Sequence, residues 1–323
     1  MILAGDIGGT KTNLALVSLR GGVLRIDSVQ SFASQRYTSL EATIDVYLAG
    51  VEAAIARACF GVAGPVLDGE AAITNLPWRI SEEALREKLG LARVRLINDL
   101  TALAYAVRVL QSEDLVTIQR GVRDPTGAIG IVAPGTGLGV GYLCWDGTGH
   151  RPGASEGGHA DFAPANEAQA RLLAHLRAEY GHVSWERVLS GPGLYAIYRF
   201  LRGNGGAGPG DVAGEWAGED PSAVISALGL AGSDQLCAQA LEMFVSIMGA
   251  YGGNLALTLM ATGGVYLGGG IPPKILPRLQ DGPFIRAFHD KGRLAPVVER
   301  IPVHVIQSAH APLLGAAVCA LEL

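Results

Sequence analysis

At 323 residues the chain is long enough for two domains, each with an ample core. Hydrophobic residues make up 49% and charged residues 17%, a balance that excludes an extended disordered protein. The formal net charge is −5 and no cluster of Lys and Arg offsets it, which argues against a nucleic-acid surface.

The first predicted element is a hairpin. Ile2-Leu3-Ala4 and Leu14-Ala15-Leu16-Val17 read as paired strands, with Gly5-Asp6-Ile7-Gly8-Gly9-Thr10-Lys11-Thr12-Asn13 between them. The chain has 45 glycines, about twice the usual share of roughly 7%, and they collect in loops of this kind. Gly8 and Gly9 allow bare backbone N–H groups to approach a phosphate, and Thr10, Lys11 and Thr12 add hydroxyl and ammonium donors. Asp6 offers an oxygen to a phosphate-bound Mg²⁺, directly or through water. An ordinary glycine-rich hairpin is the plainer reading. A Walker loop is excluded, because Thr10 stands where the glycine before the lysine should be.

Phe60 to Pro65 reads as a strand ending in a turn, and Ser81 to Leu89 as a helix capped by Ser81 and ended by Gly90. A short strand, Val94 to Ile97, then precedes an apolar helix from Leu100 to Leu110. Asn98-Asp99 therefore falls at a strand-to-helix junction, where ligands bind in α/β sheets. From spacing alone, Asp99 serves equally well as a helix cap or as a catalytic carboxylate.

The opening pattern recurs at 129–143. Ile129 to Val132 leads into Ala133-Pro134-Gly135-Thr136-Gly137-Leu138-Gly139, and Val140 to Leu143 runs out again. Two glycine–threonine tips about 130 residues apart point to an internally duplicated α/β fold with a nucleotide held between its halves. Helices follow at 166–179 and 192–202, and then a Gly/Pro-rich stretch at about 203–221 that reads as a surface loop without chemistry. Residues 243–273 carry no charge. Paired glycines interrupt them, so a buried helix (about 234–260) and a buried strand (Val265-Tyr266-Leu267) explain them better than a membrane span. Gly268-Gly269-Gly270 is either a tight turn or a surface on which adenosine lies flat against backbone, and Lys274 is a nucleotide contact or an exposed lysine. A last helix covers about 311–322.

In combination these blocks resemble the bacterial-type glucokinases of the actin–hexokinase–chaperone ATPase superfamily, nearly end to end. The resemblance rests on Gly5–Asn13, Ile97-Asn98-Asp99, Ala133–Gly141, Glu156-Gly157-Gly158-His159, Glu186-Arg187-Val188-Leu189-Ser190-Gly191 and Gly263–Lys274. It implies an actin-like, ribonuclease H-like two-domain hexokinase fold with an interdomain cleft. The expected domains are residues 1–109 with 302–323, a small α/β domain, and 110–301, a larger one with extra helices. It also implies glucose and ATP as substrates, Mg²⁺ with the nucleotide, and a cytoplasmic, glycolytic homodimer that contacts neither nucleic acid nor membrane.

Phosphoryl transfer to a sugar hydroxyl needs a clamped nucleotide, a base near the attacking oxygen and exclusion of water. By resemblance, Asp99 is the base, Gly135, Thr136 and Gly137 join the first tip in holding phosphates, and Gly268 to Gly270 meet adenosine. Asn98, Asp99, Glu156, His159 and Glu186 surround the sugar, with Asn75 in Thr74-Asn75-Leu76-Pro77-Trp78 a further contact. Such side chains suit hydroxyls, which donate and accept at once. Taken singly, Glu186 reads as a solvated helix residue, His159 as a satisfied loop histidine, and Trp78 as core or interface packing.

The related repressor–kinases follow their Glu-Gly-x-His block with a zinc-binding cysteine cluster. Here no cysteine follows His159 until Cys237, so no zinc site is expected. The four cysteines are widely spaced, and no basic and apolar leader is visible, which together fit reduced thiols in the cytoplasm. Two other readings remain: a kinase for another hexose or with another phosphoryl donor, and a non-catalytic ATP- and sugar-sensing regulator. The Asn98-Asp99, Glu156 and His159 set argues against the regulator, since a nucleotide switch needs no hexose pocket.

Overall fold

A computed structural model describes residues 1–73, 76–153, 155–203, 216 and 218–323. The chain divides into two units, Met1–Asp114 with Ser308–Leu323, and Leu115–Gln307. The division lies a few residues beyond the 109/110 and 301/302 limits read from the sequence. Val303–Ile306 pairs with Leu115–Gln119 in the second unit's sheet, which keeps 302–307 there, whereas Leu110 N donates to Ala106 O and stays with the end of a first-unit helix.

The first unit contains β1 (Ile2–Ile7), β2 (Lys11–Arg20), β3 (Val23–Ala33), β4 (Arg57–Val62), β5 (Val66–Leu67), β6 (Glu70–Ala72), β7 (Arg79–Ser81) and β8 (Val94–Asn98). Its main sheet has the order β3-β2-β1-β4-β8, and β5-β6-β7 form a small antiparallel sheet of their own. β1, β2 and β3 are antiparallel, whereas β4 and β8 run parallel to β1.

Strand alternation places Leu3, Ile7, Phe60 and Leu96 on one face, packed with the helices Leu40–Leu48 and Glu82–Leu89. Ile2, Ala4, Cys59 and Ile97 line the other face, under the helices Asp99–Val107 and Ala311–Leu321. The last helix thus belongs to the first unit. Ser81 accepts from Glu83 N and Ala84 N, and Gly90 ends that helix at φ +64°. Trp78 is core, 2% exposed, with its indole N–H donating to Tyr37 O.

The second unit contains β9 (Leu115–Gln119), β10 (Ile129–Pro134), β11 (Leu138–Trp145), β12 (His150–Gly153), β13 (Gly264–Leu267) and β14 (Val303–Ile306), in the order β12-β11-β10-β13-β14-β9. Here β10, β11 and β12 are antiparallel, and β13 and β14 run parallel to β10. That is the topology of the first sheet over again, with β9 added at an edge. The duplication inferred from two glycine–threonine tips is a duplication of whole sheets.

The long helix of the uncharged segment, Gln235–Leu259, is capped by Asp234, whose carboxylate accepts from Cys237 N. Phe244, Val245, Ile247 and Met248 along it are fully buried among Val265, Leu267, Val303 and Val305. It is the one helix among the described residues long and apolar enough to cross a membrane, and 67% of its most apolar stretch is buried inside the protein. It is therefore a core helix. Most of the Gly/Pro-rich stretch at 203–221 lies outside the described residues.

Candidate active site

In the first unit the parallel strands β1, β4 and β8 are in register at Ile7, Val62 and Asn98, so their carboxyl ends share one edge of the sheet. That edge carries the first hairpin tip and the Asn98-Asp99 junction, the position where α/β sheets hold ligands. The strands reach further in than the sequence suggested, which leaves only Gly8, Gly9 and Thr10 as the tip. Gly8 N donates to Lys11 O, and Ser34 N donates to Thr10 O.

Ser34 is fully buried beneath the tip, with its hydroxyl donating to Gly8 O at 2.8 Å and lying 3.0 Å from Thr12 Oγ1. Thr12, also fully buried, turns inward, so its hydroxyl braces the loop and does not stand beside Thr10 and Lys11 at the surface. Nothing in the sequence signals Ser34, which the fold brings back from the end of β3.

Asp6 follows Ile2 and Ala4 on the face covered by the helix Asp99–Val107. Its carboxylate accepts from Asn13 Nδ2 at 3.1 Å, in the partner position on β2. Burial pushes its pKa up, against the lowering effects of Asn13 and Lys11. A partly enclosed carboxylate beside a glycine tip is a fitting oxygen donor for a hydrated Mg²⁺.

Asn98, not Asp99, is the N-cap of the following helix: its Oδ1 accepts from Leu100 N at 2.9 Å, and its Nδ2 donates to Gly64 O. One amide hydrogen and one lone pair remain for a ligand. Asp99 occupies the first helical position, with its Oδ1 also 2.9 Å from Leu100 N. A helix N-terminus favours a carboxylate. Burial outweighs it, and with the charge of Asp6 adding to the effect the pKa is pushed up to about 6.

The second tip, Gly135 to Gly137, closes with Gly135 N donating to Gly137 O. It lies at the same sheet edge as the loop after β13: Gly268 N donates to Val132 O and Ile271 N to Pro134 O. Gly269 has φ +77°, and a Cβ there would stand 2.6 Å from Pro134 O, so only glycine fits this approach.

Beside both loops opens a cavity of about 650 Å³. Thr136, Gly270 and Lys274 are among its lining residues, and Ala223, Ala227 and Leu230 contribute apolar surface. That surface belongs to a helix, Pro221–Ala231, that the sequence reading passed over. Its signals were present: Asp220 as cap, Pro221 in the first turn and Gly232 past the end.

Glu186 is not a solvated helix residue. Its Oε2 accepts from Leu138 N at 2.9 Å, directly behind the second tip. Gly191 N donates to Gly135 O, and Ser190 Oγ donates to Glu186 O, so the 186–191 block is tied to the hairpin at both ends. Glu156 precedes a short turn of helix, Gly157–His159, that ends in His159, and its Oε2 lies 3.9 Å from His159 Nε2. Their side chains are 88% and 61% exposed in this unit. Asn75 lies outside the described residues. Of the expected site residues, the first unit gathers Asp6, Gly8 to Lys11, Asn98 and Asp99 at one edge. The second gathers Gly135 to Gly137, Glu186 and Gly268 to Gly270 at its own.

The sequence profile of the family described as Glucokinase matches residues 3–323. The chain is similar to the glucokinase of Nostoc sp., 41% identical over 340 aligned positions that cover 100% of this chain and 99% of that protein. Its fold matches the crystal structure of a glucokinase from an Antarctic psychrotroph, with a TM-score of 0.90, 33% identity and coverage of 100% and 99%. A more distant match, 22% identical with a TM-score of 0.67 over 100% of this chain and 99% of the other, is a ROK family glucokinase from Streptomyces griseus in complex with glucose and AMPPNP.

Proposed function

The chain belongs to the glucokinase family, and from that premise we propose that it transfers the γ-phosphoryl group of ATP to the 6-hydroxyl of D-glucose. Asp99 is the general base. The observation that carries this reading is the Asp99 carboxyl, pushed up to about 6 at the sheet edge that also bears a glycine hairpin. A base with a pKa close to the working pH is deprotonated in use yet still basic enough to take a hydroxyl proton. Asn98 holds the strand-to-helix corner and offers its spare amide hydrogen to the sugar.

Backbone N–H groups of the two tips, with Thr10, Lys11 and Thr136, supply donors to the phosphates. Thr12 and Ser34 keep the first tip in shape from below. The apolar cavity beside Gly270 takes the adenosine, as its size and wall fit a nucleoside. Asp6 would hold Mg²⁺, which would neutralise charge on the phosphates. Glucose as acceptor and ATP as donor are also supported by the Streptomyces griseus structure, which holds glucose and AMPPNP. The same reading makes the protein a cytoplasmic homodimer acting at the entry to glycolysis.

A coupled assay tests it. With ATP and Mg²⁺, glucose is expected to give glucose 6-phosphate with a kcat/KM at least ~10²-fold above that for N-acetylglucosamine. Glu156 and His159 are assigned to the hydroxyls near carbons 2 and 3, where an acetamido group adds bulk and replaces the hydroxyl's acceptor oxygen with an amide nitrogen that only donates. Equal kcat/KM values for the two sugars, or turnover with polyphosphate but not ATP, would refute the reading.

A further inference from the structure

The Leu138 peptide joins three blocks of the second unit. Its N–H donates to Glu186 Oε2, and it opens β11 directly after the phosphate tip. Gly158, midway between Glu156 and His159, lies so close to Leu138 O that a Cβ would collide with it. Gly137 is under a similar constraint from the other side: a Cβ there would stand 2.5 Å from Glu186 Oε2. Both hexose-assigned blocks therefore rest on the residue that ends the phosphate hairpin.

We propose that Gly137 is a positioning residue for glucose: by leaving room for the Glu186 carboxylate to bind the Leu138 N–H, it sets the one remaining carboxylate oxygen, Oε1, toward the sugar. The inference rests on the assignment of Glu186 to glucose, and it deepens that assignment by making a residue of the phosphate loop part of the sugar site. One oxygen of Glu186 is already committed, so its freedom to serve the sugar depends on the tip. A shift of Gly137 or Leu138 is a shift of Glu186.

The neighbour that an added methyl would meet is the end of a flexible side chain, so Gly137→Ala displaces the carboxylate and leaves the hairpin backbone in place. The test is calorimetric titration of glucose in the absence of any nucleotide. Gly137→Ala is expected to weaken glucose binding on the order of tenfold to a hundredfold, the range for losing a hydrogen bond to a charged group. Glu186→Ala is expected to do the same, and the double variant to be no weaker than Glu186→Ala alone. Unchanged glucose affinity in Gly137→Ala, with only the KM for ATP raised, overturns the inference, and so does a double variant whose losses add. Wild-type protein that binds no glucose overturns the family-based assignment and this inference with it, whereas wild-type binding with an unaffected variant overturns the inference alone.

Discussion

Asp99→Asn is expected to lower kcat for glucose by ~10²–10⁴-fold while leaving the dissociation constant for glucose within a few-fold of wild type. That range is the usual contribution of a positioned general base. The amide keeps the shape of the carboxyl and can still accept from Leu100 N, but it cannot take the 6-hydroxyl proton. A loss confined to the transition state appears in turnover and not in ground-state affinity. Thermal stability moves the other way. The folded-state pKa is about 6, against an ordinary aspartate value of 3.8, so ionising Asp99 opposes folding at neutral pH and stops opposing it once the pH is well below 4. The neutral amide removes that opposition, and the variant should melt no lower than wild type at pH 7. Turnover above about a tenth of wild type would count against Asp99 as base.

Asp6→Asn carries the second large effect, a fall in kcat of at least ~10²-fold together with a higher Mg²⁺ requirement. Metal charge near transferring phosphates contributes several kcal/mol to the transition state, and a neutral amide anchors a hydrated cation poorly. Asn13 Nδ2 can still donate to the new amide oxygen, and the burial that pushes the Asp6 pKa up no longer acts on a charge. The fold should be unharmed. Titrating activity with Mg²⁺ reads the outcome directly: a variant with wild-type turnover and an unchanged Mg²⁺ dependence removes Asp6 from the metal.

The legible parts of this molecule are those in which neighbours in sequence decide the structure. The two hairpins announce themselves because a glycine tip separates two apolar runs. Ser81 and Gly90 mark a helix because a cap hydroxyl and a left-handed stop act within one turn. That the helix at 311–321 belongs with the first unit was expected from the family resemblance and not from the residues themselves.

What could not be read depends on residues far apart. The inward turn of Thr12 is set by Ser34, and the anchoring of Glu186 by Leu138, 48 positions away. At the Asn98-Asp99 junction both residues are good caps, and only the fold decides that Asn98 takes the position. Leu100 N donates to Asn98 Oδ1 as well as to Asp99 Oδ1, so capping of this helix does not rest on Asp99 alone. The cavity wall at Pro221–Ala231 was missed for a different reason. A weakly amphipathic helix beside a Gly/Pro-rich stretch has local cues that the composition of its neighbour obscures.

The pH dependence of kcat/KM for glucose tests the central assignment most directly, because it reports the ionisation of the free enzyme's base. A base works only when deprotonated, so activity should fall as the pH falls through the folded-state pKa of about 6, approaching tenfold per unit below it. The residual activity of Asp99→Asn should be flat across the same range, which separates Asp99 from the other raised carboxyl at Asp6. A wild-type profile that stays level from pH 7 to pH 5, or an acid limb near 6 that survives in Asp99→Asn, would contradict the account.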